Sequence, residues 1–265
     1  MSFVRQHRVL AFFVLAYALS WWAVPFNSFF APGALIAAIV VVALTEGVAG
    51  LKALGARVVR WRVGLRWYVA ALGVPLLVHA ATILAQRGVG ADSFTTHQFT
   101  PWSGFALALG MNVVLGGPLS EEPSFRGFAQ ARLQDRRTPV AAAALMAVGV
   151  TLWHLPLFFL SSFGLRPIEA VATVAVTFWY AWLFDHAGGS ALITLIAHAA
   201  EGSISGAALW TSGADDARQV WLYTAVWCLV VLGLLVGDRA FWTRPASAAA
   251  TDRDRVPDGP VPAQA

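Results

Sequence analysis

Between Pro32 and Leu51 the chain carries one ionisable side chain, Glu46, and otherwise runs through small and branched apolar residues. A helix that crosses a bilayer needs about 20 predominantly apolar residues. Apolar stretches near that length recur eight times, at about 9–30, 33–51, 67–86, 101–118 (the helix continuing to about 134), 139–160, 168–185, 189–210 and 219–237. Within a bilayer each backbone N–H and C=O must be satisfied inside the protein, and a helix does so within one segment. The expected fold is therefore all-α, a polytopic transmembrane helical bundle of about eight spans. One membrane domain is expected over 1–242, with no internal repeat and no soluble domain. The remainder, 243–265, mixes Ala, Pro, Asp and Arg without periodicity and reads as a disordered cytoplasmic tail.

Composition agrees. Of 265 residues, 58% are hydrophobic and 12% charged, with a mean hydropathy of +0.66; soluble domains carry roughly 25% charged residues. The pI near 9.8 is not a nucleic-acid signal in such a chain, because excess Lys and Arg marks the cytoplasmic face of a membrane protein. With a cytoplasmic N-terminus, fifteen of the 18 Lys and Arg fall on that face, and only Arg87, Arg166 and Arg218 fall on the other. A multi-pass cell-membrane protein with both termini cytoplasmic follows. The first run is too long for a signal-peptide core and reads as a retained helix. The stretch Arg57 to Arg66, with Trp61, fits equally an interfacial segment or a cytoplasmic loop. The single cysteine, Cys228, excludes an intramolecular disulfide and reads as a small apolar residue.

Against this background Glu121-Glu122-Pro123-Ser124-Phe125-Arg126-Gly127 stands out. Charge at membrane depth costs several kcal/mol and persists where it faces a protein interior or a wet cavity. Glu122 and Arg126, four apart, can pair on one helix face while Glu121 is rotated by about 100°. Arg126 is then placed to neutralise and position one carboxylate and leave the other for chemistry; a purely structural salt-bridge cluster is the alternative. Pro123 suits a first helical turn, and a helix start or kink between Gly116 and Pro123 would aim free N–H groups at the site. His154 and His198 each sit in an apolar run, where a histidine alone is more often an interhelical polar contact. Position changes that reading. Arg136-Arg137-Thr138-Pro139 reads as a turn, and Glu121 and His154 lie about 16 residues, or about 24 Å of helix, to either side of it. His198 lies about 10 residues, or about 15 Å, beyond the next turn at Asp185–Gly189.

A carboxylate beside a neutral imidazole can activate water, and a second histidine can donate to a developing oxyanion. That set suits amide hydrolysis without a covalent intermediate. Glu and His also bind metals, yet the chain has no His-Glu-x-x-His and no familiar zinc spacing. Gly202-Ser203-Ile204-Ser205-Gly206 carries Ile204 where a serine-hydrolase elbow needs its nucleophile, so a serine protease is not indicated.

At these residues the chain resembles the CPBP family, the CAAX-protease and bacteriocin-processing intramembrane endopeptidases, also described as type II CAAX prenyl endopeptidase-like or Abi proteins. The family's Glu-Glu-x-x-x-Arg motif is matched by Glu121, Glu122 and Arg126, within Pro118-Leu119-Ser120-Glu121-Glu122-Pro123-Ser124-Phe125-Arg126-Gly127-Phe128. The second motif is matched by Trp153-His154-Leu155-Pro156-Leu157-Phe158, and the membrane histidine of the third by His198. The match covers about 101–210. Two positions depart: Val150 replaces an aromatic, and Gly202 stands where an asparagine of the oxyanion site is usual, four residues after His198.

The resemblance implies an intramembrane glutamic endopeptidase that uses no cofactor and no bound metal. Glu121 would be the base on water, Glu122 and Arg126 its support, His154 a positioner of the water and His198 an oxyanion donor. The substrate would be a membrane peptide or protein, cut near the cytoplasmic face; the bilayer is the other partner, and nucleic acid is not one. Composition suggests a GC-rich bacterial source, so a prenylated substrate is not implied. The alternative is a non-catalytic relative serving bacteriocin self-immunity or scaffolding, which Gly202 favours. A proton-coupled transporter is a third reading, weakened by the lack of paired repeats.

Overall fold

Proline and glycine set where the helices start and stop. The computed structural model describes residues 2–90, 102–115, 117–207 and 214–246, and its regular elements there are all helical. Helix α1 (Ser2–Gln6) leads into α2 (Arg8–Trp21), α3 (Pro32–Val58) and α4 (Leu65–Gly88). Next comes α5 (Trp102–Leu115), then α6 (Pro118–Glu122), a π-helical segment (Pro123–Gln130) and α7 (Ala131–Leu133). The chain continues through α8 (Pro139–Trp153), α9 (Glu169–His186), α10 (Ala191–Ala207), α11 (Ala214–Gly237) and α12 (Arg239–Thr243). Of the expected tail, residues 247–265 lie outside the described residues.

Each of the eight expected spans holds a helix, and the chain is a polytopic helical bundle. Four of the described helices are long and apolar enough to cross a membrane: Arg8–Phe26, Pro32–Val58, Leu65–Gly88 and Asp215–Gly237. Pro139–Trp153 and Ala191–Ile204 are apolar but shorter. The regular part of α2 ends at Trp21, ahead of a 3₁₀ turn at Val24–Phe26 containing Pro25. Helix α8 ends at Trp153, before a 3₁₀ turn at Leu155–Phe158 that contains Pro156; proline disfavours the α conformation in the residue before it. The continuous helix expected from 101 to 134 is broken. Gly117 takes φ 104°, a region open to glycine at little cost, and Pro118 restarts the chain as α6.

The charged ends of several elements are fastened together. Helix α3 is kinked at Gly47 (φ 65°, ψ −154°), next to Glu46. Arg8 donates to Glu46 from 3.1 Å, and Arg132 donates from Nε at 2.7 Å. Arg57 donates to the Gly127 carbonyl at 2.9 Å, and Gln134 donates to Asp185 at 2.6 Å. These contacts tie α2, α3, the π segment, α7 and α9 at the end where the sequence concentrates Arg. Arg166 pairs with Asp216 on other segments.

Two apolar clusters flank α6 and the π segment. One joins Phe12, Ala34, Ala38, Phe125, Met146 and Trp153. Its rings meet edge to face, with 6.0 Å between the Phe12 and Phe125 centroids and 5.3 Å between Phe125 and Trp153, the arrangement ring quadrupoles favour. The indole of Trp153 donates to Ser20 at 2.9 Å, so the polar edge of that buried ring is satisfied. The other cluster joins Ala71, Trp179, Leu183, Ile193 and Trp227 of α4, α9, α10 and α11. Outward faces show Leu10, Val14, Ile36, Leu72, Val148 and Leu229, whereas Glu122 and Arg126 are enclosed. Apolar surface around a charged interior is the arrangement a lipid solvent selects.

Close approach of α2 and α3 requires Gly33, where a β-carbon would lie 2.6 Å from the Leu19 carbonyl group. Gly33→Val is expected to lower stability in detergent micelles by about 1–3 kcal/mol through overpacking. Gly73, with nothing within 4 Å of such an atom, should accept Val with a change within about 0.5 kcal/mol. Denaturant unfolding of the two variants checks the contrast.

Candidate active site

The site begins at the helix break. The positive φ of Gly117 lets α6 start at Pro118, and the Glu121 N–H donates to the Gly117 carbonyl at 2.9 Å. The Glu121 carboxylate folds back over this start, and its Oε1 occupies the place a β-carbon on residue 117 would need. Its other oxygen, Oε2, lies 3.8 Å from Nε2 of His154. His154 sits at the end of α8, with Nδ1 2.9 Å from the Val150 carbonyl. A carbonyl only accepts, so Nδ1 carries the hydrogen and Nε2 of the neutral ring is an acceptor. Two acceptors 3.8 Å apart are too far for a direct hydrogen bond and can share the two hydrogens of one water.

Glu122 points the other way. Its Oε1 accepts from Nδ1 of His198 at 2.9 Å and lies 3.5 Å from Nη1 of Arg126. The π segment carries Arg126 one turn beyond Glu122, so the pair closes within one element. Tyr180 of α9 completes the cluster: its ring stacks on His198 at 5.4 Å, and the Arg126 guanidinium sits over the ring at 4.9 Å, a cation–π contact. Glu122 and Arg126 are 0% and 2% exposed, while the His154 and His198 side chains each keep 20%. The ion pair is sealed and the two imidazoles are reachable. With Nδ1 of His198 committed to Glu122, any contact His198 makes with a bound molecule runs through Nε2.

All five sequence-selected residues thus meet in two groups, Glu121 with His154 and Glu122 with Arg126 and His198, joined by the peptide bond between the two glutamates. Tyr180 was not singled out; it lies in an apolar run with no motif around it. Nor was the partnership of Glu201, which accepts from the Tyr223 hydroxyl and lies 3.7 Å from His79 Nε2, on the side of α4 and α11. Ser203 donates to the Ala199 carbonyl at 2.6 Å. Neither neighbour of Gly202 therefore turns its polar group to the face of α10 that carries His198. The space beside Gly202 is taken by Asn112 of α5: a β-carbon on 202 would lie 2.6 Å from Asn112 Nδ2. Among the described residues no three His, Cys, Asp or Glu side chains converge closely enough to hold a metal ion.

Removing one partner of a buried ion pair strands the other, typically at about 3–5 kcal/mol. Arg126→Met is expected to destabilise the protein by that order, and Arg126→Met combined with Glu122→Gln by less than Arg126→Met alone. Thermal unfolding in micelles of the two single variants and the double variant reads the non-additivity.

Residues 102–203 match the family model described as type II CAAX prenyl endopeptidase, Rce1-like. A comparison with curated proteins finds no match. The matched segment runs from the start of α5 into α10 and contains both carboxylate–histidine pairs as well as Arg126, Tyr180 and Asn112. Over that segment the chain is similar to the Rce1-like type II CAAX prenyl endopeptidases, a family of membrane proteases.

Proposed function

We propose that the protein is an intramembrane endopeptidase that hydrolyses a peptide bond with a water activated by Glu121. The carrying observation is the pair of acceptors, Glu121 Oε2 and His154 Nε2, 3.8 Å apart on the reachable side of a sealed ion pair. A water donating to both has its remaining lone pairs free to face a carbonyl carbon. As its oxygen adds to that carbon, one proton passes to Glu121 and the carbonyl oxygen becomes an oxyanion. His198, oriented by Glu122, donates from Nε2 in its imidazolium form to that oxyanion. Collapse of the intermediate breaks the C–N bond, and the proton held by Glu121 goes to the departing amine. The immediate products are a carboxylic acid and an amine, with Glu121 ionised again; the acid then gives its proton to the amine or to water, and no cofactor enters these steps.

The substrate in this reading is a membrane peptide or protein segment, admitted from the cytoplasmic side. Glu122 lies twelve residues before Gln134, which is fastened at the Arg-rich end by Asp185. That is roughly 18 Å of helix, so a chain entering from that end must thread about five or six extended residues to bring a bond to Glu121.

Purified protein incubated with a library of membrane peptides tests the proposal, with products read by mass spectrometry. Wild type is expected to cleave with and without chelator, and Glu121→Gln to lose about 10²–10⁴ of the rate. Folded wild type that cleaves nothing, or Glu121→Gln that cleaves like wild type, would defeat the peptidase assignment. Cleavage lost on adding chelator would replace the glutamate mechanism with a metal-assisted one.

A further inference from the structure

The geometry points to Asn112 as a catalytic residue, the amide that donates to the oxyanion alongside His198, supplied from α5 rather than from α10. The assignment rests on the peptidase reading above.

The chemistry asks for such a group. When water adds to a peptide carbonyl, charge gathers on one oxygen, and fixed donors aimed there contribute more than any other single effect in many hydrolases. On α10, residues four apart share a face, so Gly202 continues the face of His198 by one turn. A glycine there leaves a notch in that face. The Asn112 amide fills it, with Nδ2 2.6 Å, and Cγ and Oδ1 each 3.3 Å, from the position a β-carbon on 202 would take. The notch is thus a steric requirement: any side chain at 202 would displace the amide. The other polar side chains beside it on α10 are committed elsewhere, Glu201 to Tyr223 and Ser203 to the Ala199 carbonyl.

The placement of α5 supports the same role. Asn112 is five residues before Gly117, on the segment that turns into α6, and the Glu121 carboxylate lies against Gly117. One short stretch therefore carries the amide and the base, and its helices α5 and α6 both pack on α10. Asn112 is half-buried, with its amide against α10 at Gly202. A primary amide donates without ionising, which suits a position at membrane depth.

The test uses the full-length protein and a peptide that wild type cleaves, with kcat and KM measured separately and unfolding midpoints recorded. Four variants are compared: Asn112→Ala, Asn112→Leu, Gly202→Asn, and the exchange Asn112→Ala with Gly202→Asn. Asn112→Leu keeps the bulk over Gly202 and removes the donor. Both Asn112 single variants are expected to lose about 10²–10³ in kcat with KM changed less than threefold. Gly202→Asn alone should also lose kcat, because two side chains compete for one space. The exchange, with a single amide restored from α10, should recover at least tenfold over Asn112→Ala. Wild-type kcat in folded Asn112→Leu overturns the assignment, as does an exchange variant no faster than Asn112→Ala. If Glu121→Gln is inactive while the Asn112 variants are fully active, the amide role alone fails. If Glu121→Gln is as active as wild type, the peptidase reading fails and this assignment with it.

Discussion

Everything in the site is arranged around a carboxylate with no access to solvent. Glu122 is fully enclosed, and an ion in such a place survives only with partners that replace its hydration. Arg126 supplies charge and His198 supplies a hydrogen bond, and both come at a structural cost that spreads outward. Arg126 needs Tyr180 above it, which fixes the rotation of α9. His198 needs its Nδ1 toward Glu122, which fixes the rotation of α10 and leaves only Nε2 available. The neighbouring Glu121 cannot point into the same cluster, because consecutive helical positions differ by about 100°. It is turned to His154 instead. One buried charge thereby decides which glutamate is structural and which is reachable.

The local chain geometry exists to deliver those two directions. Gly117 lets the chain break its helical course just before the pair, and Pro118 starts the new helix where its missing N–H is not needed. Pro123 and the π segment then carry Phe125 and Phe128 into the ring cluster with Phe12 and Trp153 while Arg126 returns to Glu122. π-helical turns are uncommon and concentrate at functional sites; here the segment serves packing on one side and ion pairing on the other. The Glu46 contacts with Arg8 and Arg132 and the Arg57 bond to the Gly127 carbonyl hold the far end of this segment.

Much of this was legible in the sequence because the signal was physical and local. Charge inside an apolar run is expensive, so Glu121, Glu122 and Arg126 identify themselves, and counting residues from the Arg136–Pro139 turn puts His154 near them. The spans were legible as apolar runs, although apolarity does not register a break that glycine makes without changing hydropathy. Val113-Val114-Leu115 and Leu119 continue the pattern across Gly117, so the break is marked there by Gly116, Gly117 and Pro118 alone, the residues that raised a helix start or kink beside the run. Tyr180 and Asn112 carry no such mark. Each is an ordinary residue in its own helix and gains its place only from a residue far along the chain, at Arg126 and Gly202. Adjacency between distant helices leaves no periodicity to read.

The same distinction bears on Gly202. Read along α10, a glycine one turn after His198 is a missing donor and argues for a protein that binds without cutting. Transition-state stabilisation, however, depends on a dipole at a point in space and is indifferent to which helix carries it. A helix face with a notch and a facing helix with an amide in the notch present the same group to that point. Glycine at 202 and asparagine at 112 fit each other sterically, and in the proposed role neither residue is informative without the other. Under the proposed role of Asn112, what reads along α10 as a deletion is a relocation of the amide to α5.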